Sequence, residues 1–268
     1  MTLSQKDIEA AARDLLVAEK TRKQTGLISL RFPHMDMNDA YAIQGKLVEY
    51  NIAEGSREIG WKIGLTSKAM QSALNIDIPD SGVLLDYMQF DNSAKVPKDC
   101  LIQPRIEAEI AFIMKKDLAG EHVTRDDVIK ATQFVAPSIE ILDTRIYRKD
   151  PVTGQPRNVL DTISDNAANA GIVLGDERHH IEEFDLRRVG AIVFKDGEVE
   201  ETGLGAGVLN DPVEGIVWLA RRMAKYHQTI KAGQTILSGS FIRPVDCKSG
   251  SKIEADFGSF GSVSIAFA

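Results

Sequence analysis

Three glutamates and a lysine stand inside runs that otherwise read as buried strands. The stretch RIEAEIAFI, Arg105 to Ile113, sets Glu107 and Glu109 one residue apart. Successive side chains on a strand alternate between faces, so these two carboxylates share one face while Ile106, Ala108, Ile110 and Phe112 share the other. At a separation of ~6 Å and an effective dielectric of ~20 their repulsion is about 2–3 kcal/mol, unless water or a cation screens it. Glu140 interrupts FVAPSIEIL, residues 134–142, in the same way. Two readings stand open. The glutamates can lie on the solvated face of an antiparallel sheet. If both segments belong to one sheet or barrel, the three carboxylates can instead converge on one point. Carboxylate oxygens with retained waters suit Mg²⁺ or Mn²⁺, and the chain offers no Cys/His set of the kind zinc prefers.

Lys62, in GWKIGLT, is the mirror image: a cation between Trp61 and Ile63. It reads as a snorkelling or edge lysine, or as a partly desolvated amine able to carry protons beside an acidic site. The segment Asp161 to Gly171, DTISDNAANAG, is the other dense polar patch, and by composition it suits a capped turn. Gly203, Gly205 and Gly207 in GLGAG resemble a nucleotide-binding loop, but a hairpin precedes them and Val208-Leu209-Asn210 separates them from the next helix. The βαβ context of a dinucleotide site is missing, so these glycines are expected to serve tight turning or close packing. His179-His180 sits in a charged loop with no ligand spacing.

The 268 residues are 43% hydrophobic, enough to bury a large core in one domain. A net charge of −7 and the absence of a Lys/Arg cluster argue against nucleic acid as a partner. No run of ~18 apolar residues suggests a membrane span, and no signal-like segment opens the sequence, so a cytoplasmic protein is expected. Cys100 and Cys247 are too few and too far apart for a disulfide framework.

The elements that must hold these residues follow from periodicity. Ser4, with Asp7 three residues on, begins an amphipathic helix over about 5–24, and Asp36 or Asn38 caps a second running toward Gly55. Strands then dominate: WKIGLT, GVLLDYM, EIAFIM, FVAPSIEIL, AGIVLG, VGAIVFKDGEVEETG with a hairpin turn at Asp196-Gly197, and SVSIAFA. One more helix spans about 211–226. The fold class is α+β, a single domain over 1–268, with a helical region over about 1–57 and a β-rich core over about 58–268.

Six segments together carry a resemblance over nearly the whole chain. They are GWKIGLTSKAMQ (60–71), IPDSGVLLDYM (78–88), PRIEAEIAFI (104–113), APSIEILDTR (136–145), DPVTGQPRNVLDTISDNAANAG (150–171) and ETGLGAGVLNDPVEGIVWLA (201–220). On these the sequence resembles the hydratase/decarboxylase branch of the fumarylacetoacetate hydrolase superfamily. The resemblance implies a mixed β-sandwich roll preceded by helices, and a homo-oligomer built from dimers. It implies Mg²⁺ or Mn²⁺ on Glu107, Glu109 and Glu140, with Lys62 as proton carrier. Asp80 is expected to handle the added water, because hydratases of this branch carry an aspartate there and decarboxylases tend to carry an apolar residue; a turn aspartate after Pro79 is the alternative.

The implied substrate is a 2-oxo acid, and the implied reaction adds water to a 2-oxo-4-enoate. A C7 dioate, 2-oxohept-4-ene-1,7-dioate, is the expected form. The alternatives are hydration of the C5 acid 2-oxopent-4-enoate, or a vinylogous decarboxylation. The dioate is suggested by four cations, Arg145, Arg148, Lys149 and Arg157, between the Glu140 strand and the Asp165 segment. A guanidinium can fork a distal carboxylate. Arg157 is the first candidate and Arg148 the second, with a solvated basic loop as the alternative. Ser164 and Asp165 complete the expected substrate contacts.

Overall fold

A computed structural model describes residues 2–68, 71–72, 76 and 78–268. Ala69 and Met70 of the GWKIGLTSKAMQ segment lie outside the described residues. The N-terminal helices are α1 (Gln5–Thr21), α2 (Ile28–Arg31) and α3 (Met37–Ala53). The Ser4 side chain accepts from the Asp7 N–H to start α1, and Arg22, at φ 57°, ends it three residues before the expected point. Asp36 and Asp39 form a reciprocal capping box at the start of α3. Ile8, Leu15, Ile43 and Leu47 lock these helices together, with Ile146 and Ile163 from later in the chain in the same apolar cluster.

The remaining elements are β1 (Glu58–Gly64), β2 (Asp80–Leu85), β3 (Gln89–Phe90), β4 (Lys95–Val96), β5 (Arg105–Met114), α4 (Arg125–Ala131), β6 (Thr132–Leu142), α5 (Val159–Ser164), β7 (Asn169–Leu174), β8 (Gly190–Lys195), β9 (Glu198–Leu204), α6 (Pro212–Ala224), β10 (Thr235–Leu237), β11 (Val245–Asp246), β12 (Lys252–Asp256) and β13 (Ser262–Phe267). One sheet runs β2-β1-β10-β5-β6-β7-β3 with β11 beside β5; the other runs β4-β13-β12-β8-β9. Pairing is mostly antiparallel, with β1–β10, β3–β7 and β4–β13 parallel. This is the mixed α+β architecture expected.

Two differences from the sequence reading have physical causes. Helices α4 and α5 have only 7 and 6 residues, and β10 has 3, all too short for a hydrophobic period to register. The Asp161 segment opens as helix α5, capped by Asn158 and Asp161, where a turn was expected. Gly203 and Gly205 are packing glycines, as expected: a Cβ at Gly203 would lie 1.9 Å from the Phe241 carbonyl oxygen, and one at Gly205 2.1 Å from that of Leu186.

The large sheet has two unlike faces. Ile106, Ile110, Phe112, Ile139 and Ile141 pack with Val193, Ile253 and Ile265 of the second sheet and with Ile216 and Leu219 of α6 in the main core. On the other face Leu84, Ala111, Ile172 and Leu237 form a small separate cluster, and the charged residues stand beside it. No helix among the described residues is long and apolar enough to cross a membrane.

Replacing Gly203 by Ala is expected to cost about 1–3 kcal/mol, because the clash is with backbone that cannot swing away. The readout is a lower urea midpoint at unchanged slope; an unchanged midpoint counts against the close approach.

Candidate metal and catalytic site

Register brings the glutamates together. Glu107 on β5 lies directly opposite Glu140 on β6, with Glu109 opposite Ser138. One carboxylate oxygen from each of the three lies within 4.8 Å of the others. Glu109 and Glu140 are fully buried, whereas Glu107 is partly exposed at the rim. The solvated-face reading is thus replaced by a buried acidic cluster. Glu109 Oε1 and Glu140 Oε2 have no hydrogen-bond partner among the described residues. Unpaired buried anions are costly, and hard divalent cations prefer such oxygens, so the donor set fits Mg²⁺ or Mn²⁺.

β10 supplies the fourth wall. It stops at Leu237, opposite both Lys62 and Ala111, and the chain then turns through Gly239 at φ 118°. The Gly239 N–H donates to Glu109 Oε2 at 2.8 Å. A side chain at Gly239 would collide with Thr66, its Cβ falling 2.4 Å from Oγ1. Ser238 and Gly239 escaped sequence reasoning because a three-residue strand leaves no period. Their only signal is the break TIL-SGS after an apolar run.

Lys62 on β1 is buried, and its Nζ lies 3.2 Å from Glu140 Oε1. Burial pulls its basicity down, yet Glu140, Asp80, Glu107 and Glu109 together hold it above the ordinary lysine value. Asp80 opens β2 opposite Gly64, buried, in a strand and not in an exposed turn. Burial raises its pKa above the usual carboxylate range, against the opposing charges of Lys62, Arg222 and Arg157. Burial and Glu140 push Glu107 from 4.5 up to about 8. Burial, then Glu140 and Glu107, raise Glu109 well above its usual range, and burial raises Glu140 despite Lys62.

β2 is pinned by an unusual turn. Asn166, Ala167 and Ala168 all have left-handed backbones, at φ 52°, 53° and 60°. Such a run of non-glycine residues costs about 1–2 kcal/mol per residue. Two hydrogen bonds offset it: Asn166 Oδ1 accepts from the Val83 N–H at 2.8 Å and Asn166 Nδ2 donates to the Val83 carbonyl at 2.9 Å.

The expected substrate contacts separate into different settings. Asp165 faces Arg145: its oxygens accept from Arg145 Nε at 2.5 Å and from the Arg145 N–H at 2.9 Å. Burial lifts its carboxyl to about 6 against the pull of Arg145 and Arg157. Ser164 is buried, its Oγ without a partner among the described residues. Arg157 donates to Thr144 Oγ1 at 2.7 Å. Arg148 donates to the side chain and carbonyl of Gln103, in a groove it shares with Asp246 and Lys248.

A cleft of about 1110 Å³ lies at the mouth, walled by Tyr41, Thr66, Ile78, Trp218, Arg222 and Tyr226 among others. Thr66 abuts Gly239, and Tyr41 lies within electrostatic reach of Asp80 and Ser81, so the cleft adjoins the carboxylates.

No family model matches the chain. Known relatives do. The chain is 48% identical over 256 residues to the 2-oxo-hept-4-ene-1,7-dioate hydratase of Escherichia coli, covering 96% of both chains. The chain belongs to the hydratase/decarboxylase family of the fumarylacetoacetate hydrolase superfamily. A 2-keto-4-pentenoate hydratase of Paraburkholderia xenovorans is 37% identical over 259 residues, 97% of this chain and 94% of that one. Among solved members of this family, the 4-oxalocrotonate decarboxylase of Pseudomonas putida G7, complexed with magnesium and adipate, superposes with a TM-score of 0.94. It is 32% identical and covers 100% of this chain and 99% of that one. The superfamily fold extends to a fumarylpyruvate hydrolase of Pseudomonas aeruginosa, complexed with Mn²⁺ and pyruvate, at a TM-score of 0.61 and 10% identity, covering 79% of this chain and 89% of that one.

The raised carboxylates make a signed prediction. Between pH 4.5 and about 8 the metal-free folded state holds more protons on this cluster than the unfolded chain, so its stability falls as pH rises across that window. Mg²⁺ is expected to stabilise most at the alkaline end and to release protons on binding. Thermal melts with and without Mg²⁺ at pH 5.5 and 8 check this; equal Mg²⁺ shifts at both count against the site. Asp165→Ala strips a buried arginine of its partner and is expected to cost about 3–5 kcal/mol in urea unfolding. A purely substrate-contacting Asp165 would leave stability unmoved.

Proposed function

We propose that this protein is a divalent-metal-dependent hydratase that converts 2-oxohept-4-ene-1,7-dioate to 4-hydroxy-2-oxoheptanedioate, in the catabolism of aromatic meta-cleavage products such as those of homoprotocatechuate. The observation that carries the reading is the 48% identity to a hydratase of that substrate along 96% of both chains. Glu107, Glu109 and Glu140 would hold the cation, Mg²⁺ or Mn²⁺, and solved relatives bind magnesium, calcium or Mn²⁺. When bound, the cation offsets negative charge building on the C1 carboxylate and C2 oxygen of the substrate.

The chain's own residues move the protons. Water adds at C4 only when C3=C4 is conjugated with the C2 carbonyl. Loss of a proton from C3 and gain of one at C5 shifts the double bond into that position. Lys62, charged and buried beside Glu140, donates the proton gained at C5 of the dienol form and, once neutral, takes up the enol proton, so it is the carrier for this exchange. Asp80 takes the proton of the attacking water; a raised carboxyl makes a stronger base than an exposed aspartate. Hydroxide adds at C4 and a proton returns to C3, so the balance is one water. Ser164 and Arg157 are the remaining candidates for contact with the substrate chain.

The second reading is vinylogous decarboxylation, favoured by the 0.94 TM-score to 4-oxalocrotonate decarboxylase. Decarboxylation needs no base for water, and a carboxylate at position 80 would serve no step of it.

The test is a panel of C5, C6 and C7 dienols with the purified protein and Mg²⁺, following loss of dienol absorbance, product identity and CO₂. Hydrated C7 product is expected; CO₂ from 2-oxohex-3-enedioate selects the second reading, and full activity after exhaustive chelation removes the metal. Asp80→Asn is expected to lower hydration about 10²–10⁴-fold while sparing metal affinity, whereas Lys62→Ala impairs both ketonisation and hydration. An Asp80→Asn enzyme with the parent rate refutes the assignment.

A further inference from the structure

The cleft at the mouth opposes the charge of the whole protein. The chain carries −7, yet this cleft is lined by Lys68, Arg221, Arg222 and Lys225 against Glu214 among its described residues. Arg222 is set apart from the other three. Its guanidinium carbon stands 3.7 Å from the Tyr41 ring centroid and 5.2 Å from that of Tyr226, so two aromatic rings fix the plane of the fork. Among the described residues no carboxylate or carbonyl accepts from its N–H groups, although it is half-buried.

The other arginines near the site are engaged. Arg145 is consumed by Asp165 and the Asn169 and Asp165 carbonyls, Arg148 by Gln103, and Arg157 by Thr144. An oriented, unengaged fork in a cationic cleft is a receptor for a carboxylate.

Its place along the substrate follows from Asp80. Lys62 and Arg222 are the leading opposing charges around Asp80, and Tyr41, stacked under Arg222, lies within electrostatic reach of Asp80 too. Lys62 belongs to the carboxylate cluster and Arg222 to the open cleft, so Asp80 lies where the one gives way to the other. If the 2-oxo acid end lies at the glutamates and Asp80 addresses C4, the remaining chain runs out into the cleft. We propose that Arg222, clasped by Tyr41 and Tyr226, binds the distal carboxylate of the substrate and sets the preference for a dioate over a mono-acid. This rests on the hydratase reading for the orientation of the substrate, and it moves the distal contact from Arg157 and Arg148 to α6. Lys68, Arg221 and Lys225 then form a positive rim that draws a dianion toward a negatively charged protein.

The experiment measures kcat/KM on 2-oxohept-4-ene-1,7-dioate and 2-oxopent-4-enoate, and calorimetric Kd with Mg²⁺ for the non-hydratable 2-oxoheptanedioate and 2-oxopentanoate. The proteins are the parent, Arg222→Gln, Arg222→Lys and Arg157→Ala. Arg222→Gln is expected to lose about 10–100-fold on the dioate, mainly through KM, with a matching rise in Kd for 2-oxoheptanedioate and far smaller changes for both mono-acids. Arg222→Lys should fall between, since it keeps the charge and loses the fork. A merely structural Tyr41–Arg222 clamp would instead lower both substrates equally, which overturns the proposal. So does a collapse of the preference in Arg157→Ala but not in Arg222→Gln. A parent that hydrates neither substrate refutes the hydratase reading, and the ratio of Kd values still reports whether Arg222 recognises the distal carboxylate.

Discussion

Charge balance inside the sheet is the constraint on which the rest of the structure depends. Glu107, Glu109, Glu140 and Asp80 bring four carboxylates to one face, and Lys62 returns one positive charge, so full ionisation leaves a formal −3 in a buried site. With ligand oxygens within 4.8 Å of one another, each like-charged pair costs about 3 kcal/mol at an effective dielectric of ~20. Protons or a divalent cation must remove that cost. The same fact explains both the raised carboxyl pKa values and the fitness of the site for metal. A single residue of slip in the β5–β6 pairing would turn one strand's glutamate away and dissolve the cluster.

The scaffold is arranged so that this slip does not occur and so that the cluster stays reachable. Ile106, Ala108 and Ile110 on the opposite face are fully buried, which fixes the register of β5 through its apolar side. β10 is cut to three residues, and the freed backbone bends in at Gly239 to donate to Glu109. β2 is held at Val83 by Asn166, and the strained left-handed turn there keeps Asp80 and Ser81 between the carboxylates and the helices. Part of the cost of the site is thus carried as backbone strain next to it, as functional sites often show.

The fold class and the three metal-ligand candidates were legible because they depend on local alternation: Glu107, Glu109, Glu140 and Lys62 are each the odd charge in an apolar strand. Helices α1 and α3 were legible from the caps Ser4 and Asp36, one of two candidates with Asn38, and α6 from the helical pattern over about 211–226. What escaped depends on contacts between distant segments. Arg145 looked like a member of a basic loop, and only the fold reveals that Asp165 neutralises it. Gly239 gave no signal because its role lies in a backbone N–H and a close approach to Thr66. Arg222 sits in the last turn of α6, where a basic residue is expected for the helix dipole alone, so sequence offered no reason to look further.

The polarity of the site along its length then has a consequence for which molecules it can hold. Its deep end, once charged with a divalent cation, is still ringed by carboxylates, and its mouth is lined by cations. A ligand with one chelating end and one distant anion fits both ends only in one orientation, because a reversed molecule with a plain carboxylate at the deep end forfeits chelation through a neighbouring oxygen. A mono-acid satisfies the deep end alone and leaves the mouth to solvent and counterions. Screening acts strongly on the exposed rim and weakly on the buried cluster. Salt should therefore act on capture at the mouth well before it reaches the chemistry, and the two ends of one substrate are governed by different physics: desolvated coordination at the glutamates, and screened attraction among Lys68, Arg221 and Lys225.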